Sequence, residues 1–280
     1  MRLFILLFAL LIVHNTVFGQ EEFSTEYEVQ YEVEYRIDST NLEDKSTETL
    51  YLFTGSKHGV FMNYTQAHWD KIWADLERQI KTKGQVKIDK GFASDFPKSF
   101  YKDLQNGEVM TVDGIDIKNY IFKEPNLPLK WNMEDETKEI MGYQAQKATT
   151  HFAGRDYVAW FTLEIPISDG PYVFAGLPGL IIGLYDTEDH YHFKLKNIDK
   201  MGEARVFELP EENEISKTEF QALKQKYLEN AQHNTMNYGG VQMKIVSTDG
   251  MSQEDKMANQ KAKRRIKENR ARKNNPIELE

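Results

Sequence analysis

The side chains best suited to chemistry lie together at His190-x-His192, with Asp186, Glu188 and Asp189 just upstream. On a strand, residues i and i+2 share a face, so both imidazoles could reach one metal ion. Tyr191, Phe193 and Leu195 take the alternate, core-facing positions, which leaves the two His with Lys194 and Lys196 on the wet side. Two exposed ligands make a weak site, so the pair is a metal candidate only. Glu134-Asp135-Glu136 clusters carboxylates, but neighbours in a turn point in different directions, and the run reads as a solvated loop. Asn63-Tyr64-Thr65 matches a glycosylation sequon, a pattern too short to weigh. The chain has no G-x-S-x-G elbow, P-loop, G-x-G-x-x-G or H-E-x-x-H pattern. Zero Cys excludes a thiol nucleophile, a disulfide framework, a Cys-based zinc site and a lipid-anchored amino-terminal Cys. No cofactor is implied.

The elements around these residues are strands. From Phe23 to Ile37, Phe, Thr, Tyr, Val and Ile alternate with Ser, Glu, Gln and Arg, so one side faces a core and the other water. A long strand with one wet face belongs to an antiparallel sheet. Further strand-like runs cover 48–54, 59–64, 109–112, 115–122, 130–133, 141–152, 157–164, 172–175, 180–185, 191–198, 205–209 and 241–247. Turn formers separate them at Thr54-Gly55, Asn106-Gly107, Asp113-Gly114, Gly154-Arg155 and Asp169-Gly170-Pro171. The expected fold is mainly β: a curved antiparallel sheet or open half-barrel carrying two or three amphipathic helices. One helix follows Trp69, Ile72, Trp73, Leu76 and Ile80, an apolar stripe expected to be buried. A second begins at a capping box, Ser216 with Glu219, ahead of Phe220, Leu223, Tyr227 and Leu228.

The ends differ from the body. Residues 1–19 read as a secretory signal: Arg2, an apolar run from Leu3 to Val13, then Val17-Phe18-Gly19 as a cleavage site. That run is about half of the ~20 residues a spanning helix needs. Cleavage near Gly19 would leave a single domain over 20–250 and a tail over 251–280. The tail segment 253–273 carries nine Lys/Arg against three Asp/Glu. The whole chain has a net charge of −9, which argues against a nucleic-acid binder and offers the tail an acidic body to dock on. On this reading, truncation after Asp249 leaves the fold intact.

Gly176-Leu177-Pro178-Gly179-Leu180-Ile181 spells out the motif that names the GLPGLI family, and its flanks resemble that family too. Trp131, Lys138, Ile140, Gly142-Tyr143 and Lys147-Ala148-Thr149 precede it, followed by Gly154-Arg155-x-Tyr157-x-Ala159-Trp160-Phe161-Thr162 and Glu164-Ile165-Pro166. The resemblance extends over about residues 131–195, and the terminal Asn275-Pro276-Ile277-Glu278 is also similar. One departure is Ala145, near which members often carry Cys. The resemblance implies an exported envelope protein of a Gram-negative bacterium, and no reaction or cofactor to carry over. The motif itself reads as structural: Pro178 and Gly179 fit positions i+1 and i+2 of a type II turn, with φ > 0 at Gly179 and Leu177, Leu180 and Ile181 as core anchors.

The function expected from these features is a non-catalytic periplasmic binding or carrier protein for an apolar small molecule, lipid or envelope component. Its outline is similar to that of periplasmic lipoprotein carriers, an analogy of fold alone. Trp69, Trp73, Trp131 and Trp160 are the residues expected to line its pocket. The alternatives are an envelope scaffold that binds another protein and a hydrolase of unknown type.

Overall fold

A computed structural model describes residues 22–83, 94–115, 118–124, 129–210, 213–229, 235–238, 241–244 and 275–279. The signal-like residues 1–19 and the basic run 253–273 lie outside these. The first half contains β1 (Glu22–Tyr35), β2 (Ser46–Thr54), β3 (His58–Asn63), α1 (Tyr64–Ala67), α2 (Trp69–Lys83), β4 (Ser99–Asp103), β5 (Glu108–Ile115) and β6 (Lys118–Glu124). The second contains β7 (Asn132–Ile140), β8 (Tyr143–Phe152), β9 (Arg155–Thr162), β10 (Leu180–Asp186) and β11 (Tyr191–Glu208). After α3 (Lys217–Glu229), β12 (Thr235–Tyr238) and β13 (Val241–Lys244) form a separate hairpin.

Eleven strands make one antiparallel sheet in the order β6-β5-β4-β3-β2-β1-β11-β10-β9-β8-β7. It consists of two meanders joined where β1 pairs with β11. The connection from β6 to β7 therefore runs from one edge of the sheet to the other. Ten strand spacings of a flat sheet would part those edges by about 48 Å. Eight residue steps, from Glu124 to Asn132, reach at most about 29 Å. The sheet must curl, and the curl gives it a concave face while leaving it open.

The alternation in β1 survives as structure: Val29, Tyr31 and Val33 are fully buried in the main core, and Tyr35 nearly so. On β2, Leu50 and Leu52 belong to that core, whereas Tyr51 and Phe53 join a smaller cluster with Val60, Met62 and Phe207. Strand alternation puts the two clusters on opposite faces. Helix α1 is fixed by an Asn63 capping box, in which the side chain accepts from the Gln66 amide at 3.0 Å. Asn63 also donates to the Phe96 carbonyl at 3.0 Å and is buried, so the sequon there is a helix cap closed to a glycan. The capping box at Ser216 and Glu219 forms as expected and starts α3, whose Phe220 packs on Phe122 and Tyr120 at the β6 edge.

Several local expectations change. Asp113-Gly114 lies inside β5, where the Asp113 carboxylate receives the Lys224 ammonium of α3 at 2.6 Å. The runs 191–198 and 205–209 join into the single strand β11. Glu134, Asp135 and Glu136 sit on β7, and Lys147 binds Glu134 and Glu136, which share a face, at 3.0 and 2.8 Å. Being an edge strand, β7 gains from that charge, which discourages pairing with another chain.

A buried loop, a docked carboxyl terminus and an aromatic hollow

The concave face is filled by an unusual feature, the 163–179 connection between β9 and β10. Ile165, Ile167, Asp169, Tyr172, Val173, Phe174 and Leu177 of this loop are all buried. A buried loop must satisfy its own backbone. Here Leu180 N donates to Ile165 O, Ile181 N to Asp169 O and Phe174 N to Pro171 O, at 2.9–3.0 Å. Pro171 and a positive φ at Tyr172 prevent residues 172–175 from forming the expected strand.

Asp169 ties this loop to the opposite meander. Its carboxylate meets the Lys102 ammonium of β4 and accepts from Thr54 Oγ1 of β2 at 2.7 Å and from Gly170 N at 2.8 Å. Lys102 Nζ also donates to Gly170 O at 2.6 Å. Both side chains are withdrawn from water (1% and 0% exposed), and Gly59 of β3 leaves the space that the carboxylate occupies. Burial pushes the Lys102 ammonium below its ordinary pKa, more than Asp169 raises it.

The motif turn differs from expectation. The positive φ belongs to Gly176 (+96°), not to Gly179, so the type II assignment is corrected. Gly179 is required for a different reason: a Cβ there would lie 2.0 Å from Thr162 O, inside the β9–β10 pairing. Leu177, Leu180 and Ile181 are the core anchors expected of them.

At one end of the concave face the carboxyl terminus returns to the body. Asn275 Nδ2 donates to Arg36 O at 2.7 Å and Asn275 N to Ile37 O at 3.2 Å. Three successive carbonyls are met by side chains: Asn275 O by Tyr191 OH at 2.5 Å, Pro276 O by Arg155 at 2.9 Å and Ile277 O by Tyr157 OH at 3.1 Å. Glu278 accepts from Tyr172 OH, from Lys98 at 3.0 Å and from Lys217 at 3.4 Å. Truncation after Asp249 would thus remove a segment whose polar groups are bonded to the body. Burial alone would raise the Glu278 carboxyl, but Lys98, the Tyr172 hydroxyl and Lys217 outweigh it and hold its pKa below the ordinary value. A lowered carboxylate pKa stabilises docking fully above about pH 4.3, and the contribution is lost as pH falls through the lowered value. The Leu279 amide, bonded to Ala153 O at 2.9 Å, is therefore expected to shift toward its random-coil NMR position below pH 4. Glu278→Gln should abolish that pH dependence; a shift unchanged by the substitution would assign it to another group.

Arg155 is the hub of this end. Its second terminal nitrogen donates to Asp186 at 3.1 Å, Glu188 at 3.3 Å and His190 Nδ1 at 2.8 Å. Among the described residues, Asp186, Glu188 and His190 hold their ligand atoms within 4.8 Å of one another, the spacing a metal would need. The Arg155 guanidinium already occupies that acidic corner as its cation. His192 does not join it: its Nε2 turns to Asp189 and its ring stacks on Tyr185 at 5.4 Å. His190 and His192 thus take different partners, Arg155 and Asp189, and the expected sharing of one ion by both imidazoles is not what their side chains do here.

Between the terminus, residues 95–98 and the sheet lies a hollow of about 360 Å³. Its walls include Tyr35, Phe61, Phe96, Phe100, Tyr172 and Tyr191, with Asp95, Lys98 and Glu278 among the polar groups and Ile277 supplied by the terminus. None of the four Trp lines it. Trp69 and Trp73 are 37% and 56% exposed on α2 and stack on each other at 6.0 Å, while Ile72 and Leu76 carry the burial. Trp131 donates to Ala175 O at 2.8 Å and packs against Phe174. Trp160 is buried beneath the Lys138 ammonium, its indole N–H without a partner. The aromatic wall comes instead from Tyr and Phe on β1, β3, β4 and β11, together with Phe96 and Tyr172, dispersed in sequence and unmarked by any motif.

A family model described as a protein of unknown function (Porph_ging) matches residues 153–183, from the turn before β9 through the buried loop into β10. No curated protein matches the chain. Two solved structures of PNGF-II, in the C2 and P21 space groups, are similar at TM-score 0.49 and 15% identity. The likeness covers 76% of this chain and 34% of those chains, so this chain spans about a third of their length.

Proposed function

We propose that the protein is a non-catalytic, exported binding protein of the cell envelope and a GLPGLI family member, with the aromatic hollow as its ligand site. The motif residues 176–181 fall within the stretch matched by the family of unknown function, which supports that membership. The observation that carries the binding reading is the hollow itself. Its size falls within the ~300–1,000 Å³ of small-molecule sites, and it combines an aromatic wall with a few polar groups, as such sites do. An apolar ligand with one anionic group would bury its body against Phe61, Phe96 and Phe100 and place its charge near Lys98. Export follows from the residue 1–19 pattern, and amino-terminal sequencing that found Met1 on the envelope-derived protein would overturn it.

An environment-sensitive fluorescent fatty acid tests the site. The delipidated full-length protein is expected to bind it saturably, and Ile277→Trp, which fills the hollow, to weaken binding at least tenfold with circular dichroism unchanged. Absence of saturable binding, or binding indifferent to Ile277→Trp, would reject the hollow as the site. A second reading, an envelope scaffold, is favoured by one observation: the stacked, exposed Trp69 and Trp73 on α2. Aromatic pairs of that kind are enriched where proteins meet. A chain that failed the fatty-acid test yet lost a copurifying envelope protein on Trp73→Asp would support it.

A further inference from the structure

The contacts of the carboxyl terminus differ from those of an ordinary structural strand. Among the described residues, no ladder of backbone bonds holds residues 275–278 along their length. Side chains do the work, from β4's approach, β9, β11, the buried loop and α3, and each addresses a feature that a peptide carries. Tyr191, Arg155 and Tyr157 take three successive carbonyls. Arg155 and the Arg36 carbonyl take both ends of the Asn275 amide, at 2.6 and 2.7 Å. Pro276 occupies the position where no amide donor has to be satisfied. Ile277 enters the apolar wall, and two Lys with a Tyr hydroxyl close on the Glu278 carboxylate.

We propose that this groove is a peptide-recognition site for an extended Asn-Pro-apolar-acidic segment, and that the chain's own carboxyl terminus is its occupant in cis. Three features support recognition over plain core packing. Specificity is set by the Asn amide and the Glu carboxylate, each fully engaged, where a filler segment would need only apolar bulk. The carbonyl contacts are independent of side-chain identity and supply affinity, as main-chain bonding does in other peptide grooves. The segment is also covalently part of the chain, 31 residue steps beyond Lys244 in sequence, so it is an intramolecular ligand. A covalently attached ligand is presented at a high effective concentration, on the order of millimolar for a short flexible link. A free peptide at micromolar concentration is therefore excluded while the chain is intact. Cutting the chain makes the site available to peptide in solution.

The test uses the full chain with a specific protease site inserted after Ala262. A fluorescent synthetic peptide spanning residues 273–280 is titrated against the protein before and after cleavage, with polarisation as the readout. Cleaved protein is expected to bind the peptide one to one, at least tenfold more tightly than uncleaved protein. Peptides carrying Asn275→Ala or Glu278→Gln should each lose at least tenfold. Near-ultraviolet circular dichroism of the cleaved protein should match that of the uncleaved one. The assignment is overturned if the labelled peptide never exchanges with the retained fragment, if the altered peptides bind as well as the natural one, or if cleavage collapses the tertiary signal. Exchange is read without an apolar probe, so this result stands apart from the outcome of the fatty-acid experiment.

Discussion

Lys102→Met is expected to lower the stability of the fold by about 3–5 kcal/mol, a large share of the ~5–15 kcal/mol available to a typical domain. The substitution keeps the length of the side chain and removes its charge, leaving the Asp169 carboxylate sealed in the core with Thr54 Oγ1 and Gly170 N as its donors among the described residues. An unpaired buried charge costs far more than a surface ion pair contributes. The converse variant, Asp169→Asn, strands the Lys102 ammonium instead and removes the one interaction that raises its pKa. That lysine then releases its proton in the folded state while still holding it, below about pH 10.4, in the unfolded chain. The unfolded state binds more protons over that window, so the stability of Asp169→Asn is expected to climb as pH rises through the lowered pKa. Urea unfolding at pH 7 and pH 9.5 checks both signs. The double variant Lys102→Met/Asp169→Asn should be less damaged than either single one, because no charge is left alone. A double variant as unstable as the sum of the two would mean that Lys102 and Asp169 act separately.

The same pair explains why part of this fold escaped a reading of the sequence. The β1 strand was legible because its core positions are uniformly apolar or aromatic, so the period of two shows without any knowledge of its partners. The β4 strand, Ser99–Asp103, was invisible because the position that should read as core is Lys102, and the residue that makes it tolerable lies in a loop beyond five other strands. The curl of the sheet was within reach of sequence reasoning only in outline. Its cause is the pairing of β1 with β11, a contact between residues more than 150 positions apart. The helix stripe is narrower than its apolar residues suggest: Ile72 and Leu76 share the buried line, and Trp69, Trp73 and Ile80, all to one side of it, stay exposed. The docked terminus showed in the sequence only as the family-like run Asn275-Pro276-Ile277-Glu278, and its docking was not legible because three of the groups bound there are backbone carbonyls, which every residue carries. The hollow had no trace at all, since its walls come from scattered Tyr and Phe whose types equally suit a packed core.

Gly179→Ala is the second large effect expected, and its cause separates two kinds of glycine in one motif. The added Cβ would lie 2.0 Å from Thr162 O and 2.7 Å from Thr162 C. These are backbone atoms in the β9–β10 ladder, where Leu180 pairs with Thr162, so neither side can yield by changing a rotamer. Relief requires parting the two strands at the point where the buried loop closes. Overpacking of this kind costs about 1–3 kcal/mol even where side chains can adjust, and a backbone contact belongs at or above the top of that range. Gly176→Ala meets open space, with only the Trp131 ring near, at 3.8 Å. Its cost is the left-handed backbone at φ +96°, about 1–2 kcal/mol for a residue with a Cβ. The expected order of thermal stability is therefore natural protein, then Gly176→Ala, then Gly179→Ala. Gly176→Asn provides the discriminating control, since Asn tolerates positive φ better than Ala and should recover part of the loss at 176. Melting temperatures in the reverse order, with Gly179→Ala nearly silent, would show that β10 has room beside β9, and that the end of the buried loop is not pinned where the Thr162 carbonyl places it.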